Sequence, residues 1–326
     1  MKKKTKKKAN TFQHLISGTT AGILTTVCLH PLDLIKTRFQ VHEGNIGRSH
    51  KQAKYRSTWH GIRTVVSNEG LRALYQGITP ATFGSGSAWG LYFFFYESYK
   101  KQNQFLLDGN KFYNNKTFVN LCSSSQAGVT TVFITNPIWL VKTRMQVQDK
   151  SLFTQQAAVA EGGGTATTQP RQTFYRSMPH AFKTIIQEEG FFALYRGLLP
   201  ALFLVSHGVI QFVVYEELKT LVTNDGNKKL GILEPLWMGA ISKTIASTAT
   251  YPWQTIKSRI QQRQKLDAKP YNGMIDCGTR IIKNEGMRGL YKGLAPNLMR
   301  IAPSAAITFF TYENVKEFLI NNNYFY

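Results

Sequence analysis

Acidic residues are scarce in this sequence of 326 residues: 18 Asp and Glu face 40 Lys and Arg, which gives a formal net charge of +22. Cysteine is scarcer still, with Cys28, Cys122 and Cys277 alone. An odd number without metal-ligand spacing argues against a disulfide framework or a metal site, so we interpret the cysteines as packing residues. No paired catalytic carboxylates, nucleophile with base, or phosphate-binding loop is recognisable. The sequence therefore does not favour an enzyme.

The amino-terminal segment also lacks the usual targeting patterns. Residues 1–10 are rich in lysine but contain neither the apolar stretch of a signal peptide nor the Arg-rich amphipathic pattern of a transit peptide. We expect a basic tail that contacts anionic lipid headgroups.

Apolar residues are not abundant on average, since the mean hydropathy is −0.23. They are instead concentrated in windows separated by basic stretches, a banded pattern typical of membrane proteins. Each window is near the ~20 residues that a helix needs to cross a bilayer, and lipid favours helices because it offers no partner to backbone groups. The candidate spans are residues 12–32, 77–96, 117–141, 197–215, 231–256 and 294–312. The charge leaves one other class open, a soluble basic nucleic-acid-binding repeat protein.

Three landmarks recur three times along the chain. The first is PLDLIKTRFQ at 31–40, NPIWLVKTRMQ at 136–146 and YPWQTIKSRIQ at 251–261. The second is EGLRALYQGITP at 69–80, EGFFALYRGLLP at 189–200 and EGMRGLYKGLAP at 285–296. The third is YESYK at 96–100, YEELK at 215–219 and YENVK at 312–316. Repetition of this kind indicates three tandem units.

At these landmarks the chain resembles the mitochondrial carrier family, whose signature is Pro-x-acid-x-x-base-x-base at the end of each odd-numbered helix. The resemblance covers about residues 10–320. It implies an all-α membrane protein with six transmembrane helices in three pseudo-threefold-related repeats, each with a short matrix helix. We place the repeats at 11–105, 114–225 and 230–320, and expect residues 149–175, rich in Gln, Ala, Gly and Thr, to form a flexible matrix loop.

The same resemblance implies a location and partners. It predicts a multi-pass protein of the mitochondrial inner membrane with both termini facing the intermembrane space. The expected partners are a small anionic substrate and membrane lipid, including cardiolipin, but not nucleic acid. No cofactor is expected apart from the transported molecule, and the oligomeric state is left open.

Proline inside a helix kinks its axis, so three prolines should bend the odd helices together: Pro31, Pro137 and Pro252. Positions two and five after proline share a helix face, and in the family they pair between repeats to close the matrix side. Asp33 can pair with Lys142, and Gln254 can offer Lys36 a neutral hydrogen bond, while Trp139 replaces the acid in the second repeat. The predicted matrix gate is Asp33, Lys36, Lys142, Gln254 and Lys257. Three glutamines resemble the family's brace residues: Gln40, Gln146 and Gln261.

The third landmark supplies an acid and a base in every repeat. The predicted cytoplasmic gate is Glu97, Lys100, Glu216, Lys219, Glu313 and Lys316. The alternative is ordinary surface pairs within one helix, each worth about 0.2–0.5 kcal/mol. Three possible pairs here against one at the matrix gate predict a substrate-free protein that is open to the matrix, unless the glutamines or Trp139 compensate.

Residues that differ among the repeats are candidates for contacting an asymmetric substrate. Alignment on the tyrosine of the third landmark brings to one level Gly84, Phe203 and Arg300. Four residues later in each repeat, the aligned residues are Ala88, His207 and Ser304. One residue further on, they are Trp89, Gly208 and Ala305. Alignment on the kink proline brings together Gly22, Gly128 and Lys243. We expect Gly18 with Gly22, and Ser124 with Gly128, to allow close helix packing.

Arg300 and Lys243 carry charge near the middle of predicted spans, where each costs roughly 2.5–3.5 kcal/mol. Such cations, unpaired within their own repeats, predict a pore and an anionic substrate. The candidate substrate-binding residues are Arg300, Lys243, Trp139, Trp89, Gly84, Phe203 and His207. Packing remains open as a role for His207, Trp89 and Trp139.

Positions where this chain differs from the family signature indicate which branch of the family it resembles. NPIWLVKTR looks like the branch that carries folate, flavin, NAD and pyrimidine nucleotides, in which Trp replaces the acid. YPWQ and the run WGLYFFFYE at 89–97 look like folate and FAD carriers. Folate and FAD are flat-ringed anions, in agreement with the two cations. We predict transport of folate or FAD, with NAD, a pyrimidine nucleotide or another anionic metabolite as the alternative.

Overall fold

A computed structural model of the chain describes residues 11–42, 57–107, 116–148, 173–223, 231, 234–263 and 270–322. The predicted basic tail at 1–10 and residues 149–172 of the predicted loop lie outside the described residues. The end of that loop segment is packed, because Tyr175 is buried against the second repeat.

Helices account for nearly all of the described chain. They are α1 (Thr11–Val41), α2 (Thr58–Glu69), α3 (Ile78–Leu107), α4 (Lys116–Val147), α5 (Met178–Glu189), α6 (Leu198–Phe203), α7 (Ser206–Thr223), α8 (Glu234–Gln261), α9 (Met274–Glu285) and α10 (Leu294–Asn321). Short 3₁₀-helices lie at Leu71–Tyr75, Phe191–Tyr195 and Met287–Tyr291. Each repeat thus runs long helix, short helix, 3₁₀-turn and second long helix. The family resemblance implied the order of the helices, and the 3₁₀-turns were not predicted.

The long helices extend well beyond the predicted apolar windows. The first window ends at residue 32, whereas α1 continues to Val41 through the charged part of the first landmark. Hydropathy detects only the apolar part of a helix, so it misses such polar ends. Within the described residues, one segment, Phe191–Thr223, is long and apolar enough by composition to cross a membrane.

The short helices begin and end at recognisable caps. Ser57 and Ser177 accept hydrogen bonds from the backbone N–H groups of His60 and His180, as N-cap serines do. All three short helices end at a glycine with positive φ: Gly70, Gly190 and Gly286. Each packs an apolar face against the first long helix of its own repeat, for example around Leu34 and Val65 in the first repeat.

The cysteines differ from the prediction that all three are packing residues. Cys277 is fully buried in the apolar cluster of the third repeat, next to Ile256 and Ile281. Cys122 is half-buried and Cys28 is exposed. Only Cys277 therefore packs in a core.

The second long helix of repeat two is interrupted, although a continuous span was predicted at 197–215. The backbone N–H groups of Val205, His207 and Gly208 bond to the carbonyl three residues back instead of four. The Ser206 hydroxyl donates to the Phe203 carbonyl at 2.6 Å. This tighter turn separates α6 from α7 without a proline.

Glycines set the closest contacts between repeats. Gly77, Gly197 and Gly293, from the second landmark, have φ of 78°, 78° and 85°. A Cβ on Gly77 would lie 3.2 Å from the Lys142 carbonyl oxygen of the next repeat, and one on Gly293 would lie 2.8 Å from that of Lys36. Each repeat therefore abuts the next one at a glycine.

The predicted small-residue contacts are only partly present. A Cβ on Gly128 would lie 3.1 Å from Val205, so Gly128 does allow close packing. Gly18 and Gly22 are exposed and have nothing within 4 Å of such a Cβ. The prediction was wrong for these two residues.

Gly293→Ala is expected to destabilise the protein strongly. Alanine at positive φ costs about 1–2 kcal/mol, and its Cβ would lie 2.9 Å from the Tyr251 hydroxyl as well as against Lys36. Gly18→Ala is the matched control, because open space surrounds Gly18. Thermal unfolding of the purified variants should show a loss of several degrees for the first and none for the second; equal melting temperatures would contradict the close contact.

Candidate functional site

The long helices have two ends, each marked by a recurring residue. The proline end is the end of the long helices that holds Pro31, Pro137 and Pro252, and the tyrosine end is the end that holds Tyr96, Tyr215 and Tyr312.

Asp33 is the centre of the proline end. Its Oδ2 lies 2.6 Å from Lys142 Nζ, which is the predicted pair between repeats one and two. Its Oδ1 accepts a hydrogen bond from Arg300 Nη1 at 2.6 Å, and Gln146 Nε2 donates to Oδ2 at 3.1 Å. A buried carboxylate needs such partners. Asp33 thus ties together α1, α4 and α10.

Arg300, predicted to be unpaired within its own repeat, pairs with Asp33 of the first repeat, a partner that the sequence analysis did not identify. Aligning the repeats identifies residues at equivalent positions, but it does not show which side chain of a neighbouring repeat each of them contacts. Lys243, in contrast, is exposed, lies within electrostatic range of Arg300 and has no ion-pair partner in the described part of the chain.

Positive charge is in excess at the proline end. Lys36 Nζ donates to Gln254 Oε1 at 2.9 Å, the neutral bond that was predicted. Lys36 also lies within electrostatic range of Lys142, Lys257 and Arg300, with Asp33 as the one acid in that group. Four cations around one carboxylate make this a region that attracts anions.

Gly84, Phe203 and Arg300, which the alignment placed at equivalent positions, also make equivalent contacts in the structure. Each of these residues lies beside the residue one or two positions after the kink proline of the next repeat. Arg300 meets Asp33, and a Cβ on Gly84 would lie 3.0 Å from Ile138 and 3.7 Å from the Trp139 ring. Gly84 therefore leaves room for the Ile138 side chain and lies in ordinary contact range of Trp139.

The third member of this level, Phe203, stacks on Trp253, with ring centroids 5.0 Å apart and 22° between the planes. Sequence reasoning missed Trp253, although its place one residue after Pro252 was a usable signal. On the other side of the level, Lys142 Nζ lies 5.2 Å from the centroid of the Trp139 ring. Flat rings are thus present next to the cations.

Two other candidates take part in local contacts. His207 Nδ1 lies 3.1 Å from the Thr250 hydroxyl, a bond between α7 and α8. Trp89 is exposed and stacks on Phe93 of its own helix at 5.8 Å between centroids. Neither contact involves the four cations of the proline end.

The charged pairs at the tyrosine end run within single helices, while the Tyr96 hydroxyl donates to Asn120 of α4 at 3.2 Å. Lys219 pairs with Glu216 at 3.1 Å and Lys316 pairs with Glu313 at 2.6 Å. Lys100 lies over the Tyr96 ring of α3, and no pair of Glu97 is seen in the described residues. The structure therefore has the surface-pair arrangement that was the alternative to a ring.

In the described residues, ion pairs join the repeats at the proline end but not at the tyrosine end, the opposite of the state expected from counting charged pairs. Hydroxyls also bridge the repeats through the three brace glutamines: Thr37 to Gln146 at 2.8 Å, Thr143 to Gln261 at 3.1 Å and Ser258 to Gln40 at 2.8 Å. The count of charged pairs did not include these neutral hydrogen bonds or the bond of Arg300 to Asp33. Together they connect the repeats at the proline end.

A second layer beyond the gate repeats three times. The arginine seven residues after each proline pairs with the glutamate that opens the second landmark: Arg38 with Glu69, Arg144 with Glu189 and Arg259 with Glu285. Each arginine Nε also donates to the carbonyl of the brace glutamine of a neighbouring repeat. The recurrence of both residues was a signal that our sequence reasoning did not use.

Two acids of this layer, Glu189 and Glu285, are held in their charged form. Burial of Glu285 opposes its charge, but hydrogen bonds from Arg259 and Lys292 outweigh burial and lower the pKa of Glu285 from 4.5 to about 2. The pKa of Glu189 is likewise lowered, against burial, by Arg144 and Arg196.

Three segments of the chain, residues 7–105, 113–226 and 228–323, match the family described as mitochondrial carrier protein. The chain belongs to the mitochondrial carrier family. This carrier is 37% identical to a chloroplastic folate transporter of Arabidopsis thaliana, over 94% of this chain and 96% of the relative. It is 34% identical to a chloroplastic nicotinamide adenine dinucleotide transporter of the same plant, over 96% and 94%. It is 33% identical to a mitochondrial FAD carrier of Saccharomyces cerevisiae, over 93% and 96%.

Proposed function

We propose that this carrier moves folate or FAD across the mitochondrial inner membrane by alternating access. The observation that carries the proposal is the cluster of Lys36, Lys142, Lys257 and Arg300 around a single carboxylate, Asp33. Lys243 adds a further charge within range of Arg300. Fixed cations of this kind bind carboxylates, which folate carries, or phosphates, which FAD carries.

The aromatic side chains support a flat-ringed substrate. Trp139 and the stacked pair Phe203 and Trp253 lie at the level of Arg300. Offset stacking on such rings contributes about 0.5–1.5 kcal/mol beyond burial. The folate and FAD relatives agree with this class, and the NAD relatives make NAD the second candidate.

Exposed apolar surface supports the membrane part of the proposal. Large apolar side chains are exposed along the long helices, among them Phe83, Phe94, Phe133, Phe212, Ile245 and Phe310. Soluble monomers rarely expose so much apolar surface. In the proposed arrangement α1, α3, α4, α6 with α7, α8 and α10 span the bilayer, lipid including cardiolipin covers them, and the proline end faces the matrix. Both termini then face the intermembrane space.

Uptake into liposomes tests the substrate. The purified protein is reconstituted and offered folate, FAD, NAD and pyrimidine nucleotides, each as a labelled anion. We expect saturable uptake of folate or FAD, with weaker or no uptake of the others. Uptake of NAD alone would make the second candidate correct, and uptake of none of the panel would contradict the proposed substrate class.

Lys243→Ala is expected to raise the KM for the transported anion by roughly 10–100-fold, since a charged hydrogen bond contributes about 1.5–3 kcal/mol. Lys183→Ala is the control, because Lys183 is an exposed lysine of the short helix α5. Initial rates over a range of substrate concentrations give the KM of both variants. An unchanged KM for Lys243→Ala would remove this residue from the site.

A further inference from the structure

The residue before each kink proline is buried and polar in all three repeats. These residues are His30, Asn136 and Tyr251, with 1%, 1% and 0% of their surface exposed. They differ in chemistry, yet each hydrogen-bonds a backbone carbonyl of the second landmark in its own repeat. None of them belongs to the gates or the candidate substrate residues described above.

The bonds have closely similar geometry. His30 Nε2 lies 2.9 Å from the Gln76 carbonyl oxygen, and the Tyr251 hydroxyl donates to that of Lys292 at 3.1 Å. Gln76 and Lys292 are equivalent, as each precedes the glycine that abuts the next repeat. The shorter Asn136 donates to Leu194, two residues before the equivalent position, at 2.9 Å.

The backbone explains why a side chain is needed there. The first helical bonds of α3 and α10 run from the Ala81 and Asn297 N–H groups to the Gly77 and Gly293 carbonyls, so the carbonyls one residue earlier receive no bond from the helix. A carbonyl left without a partner in a buried place is costly. Aromatic stacking adds to the contact, because His30 lies over Tyr75 and Tyr251 over Tyr291, with 13° and 11° between the ring planes.

We propose that His30, Asn136 and Tyr251 are positioning residues of the proline-end gate. Each lies three positions before a gate position, Asp33, Trp139 or Gln254, on the same helix face. The bond from the residue before proline to the backbone of its own repeat therefore fixes how that part of the helix is rotated. The same rotation sets the direction of the gate residue three positions later. The proposal rests on the proposed alternating access of the carrier.

Tyr251→Phe tests the proposal with the loss of one oxygen atom. Spin labels carried by unnatural amino acids at Ser67 and Lys283, exposed on α2 and α9, report the distance between the proline ends of repeats one and three in the full chain. Without substrate we expect one short distance for the parent protein. For Tyr251→Phe we expect a second, longer distance with about a tenfold change in the ratio of the two states.

Two further variants complete the experiment. Tyr291→Phe removes a hydroxyl from the other ring of the same stack and should keep the parent distances. Tyr251→His, the side chain that repeat one uses, should restore the short distance. Parent distances for Tyr251→Phe, or the same change for Tyr291→Phe, would overturn the proposal. The distances need no substrate, so a failure of the uptake panel would contradict the proposed function while this measurement stands.

Discussion

Arg300→Ala is expected to abolish uptake of the transported anion, with a loss of at least about 100-fold, or about 2.8 kcal/mol. The variant removes the guanidinium that lies at the level of Trp139 and Phe203 and that binds Asp33 at 2.6 Å. A substrate anion and Asp33 compete for this group, so its loss removes both the substrate contact and the link between α10 and α1. Initial uptake rates into liposomes measure the effect.

The control for this prediction is Arg280→Ala, which removes an arginine paired with Asp276 within the short helix α9. Both variants should stay in the membrane pellet after carbonate extraction, so that loss of uptake is not loss of insertion. Arg300→Lys keeps the charge but loses the planar fork and should retain part of the activity. Normal uptake by Arg300→Ala would exclude Arg300 from the site.

Arg259→Ala is expected to cost about 3–5 kcal/mol of stability, because it leaves a buried carboxylate without its main partner. The side chains of Arg259 and Glu285 are 1% and 3% exposed and lie 2.6 Å apart. Thermal unfolding in detergent or nanodiscs measures the loss. Glu317→Gln, at an exposed acid of α10, is the control for changes of surface charge.

The same pair predicts a dependence on pH. The pKa of Glu285 is lowered from 4.5 to about 2 in the folded protein. Its contribution to stability is therefore complete above about pH 4.5 and is lost as the pH falls toward 2. Glu285→Gln should show a smaller drop in melting temperature across this window than the parent protein. Identical pH profiles would show that the pair does not act in this way.

Much of the proline end could be predicted from the sequence. Asp33 with Lys142 and Gln254 with Lys36 followed from two sources: spacing after proline puts the positions on one helix face, and the family resemblance implied that they pair between repeats. The level of Gly84, Phe203 and Arg300 followed from alignment alone. These features depend on local geometry repeated three times.

Contacts between unequal positions were not predictable in the same way. The bond of Arg300 to Asp33 depends on how α10 is rotated and shifted along its axis relative to α1. The hydrophobic periodicity of the sequence does not determine either quantity. The turn between α6 and α7 contains no proline, and Ser206 satisfies a carbonyl there that a regular helix would use. The buried bonds of His30 and Tyr251 depend on which carbonyl the fold leaves open.

Each repeat abuts the next at a glycine, and Gly293 of the last repeat abuts Lys36 of the first. The contacts therefore form a closed circle whose final seam joins residues more than 250 positions apart in the chain. Contacts of such separation form late, because the entropy of closing the loop must be overcome first. During synthesis the surface of α1 that packs against α10 stays uncovered until α10 has been made. We therefore expect the contact between the first and last repeats to form last, and a defect at Gly293 to affect the first repeat as well as its own.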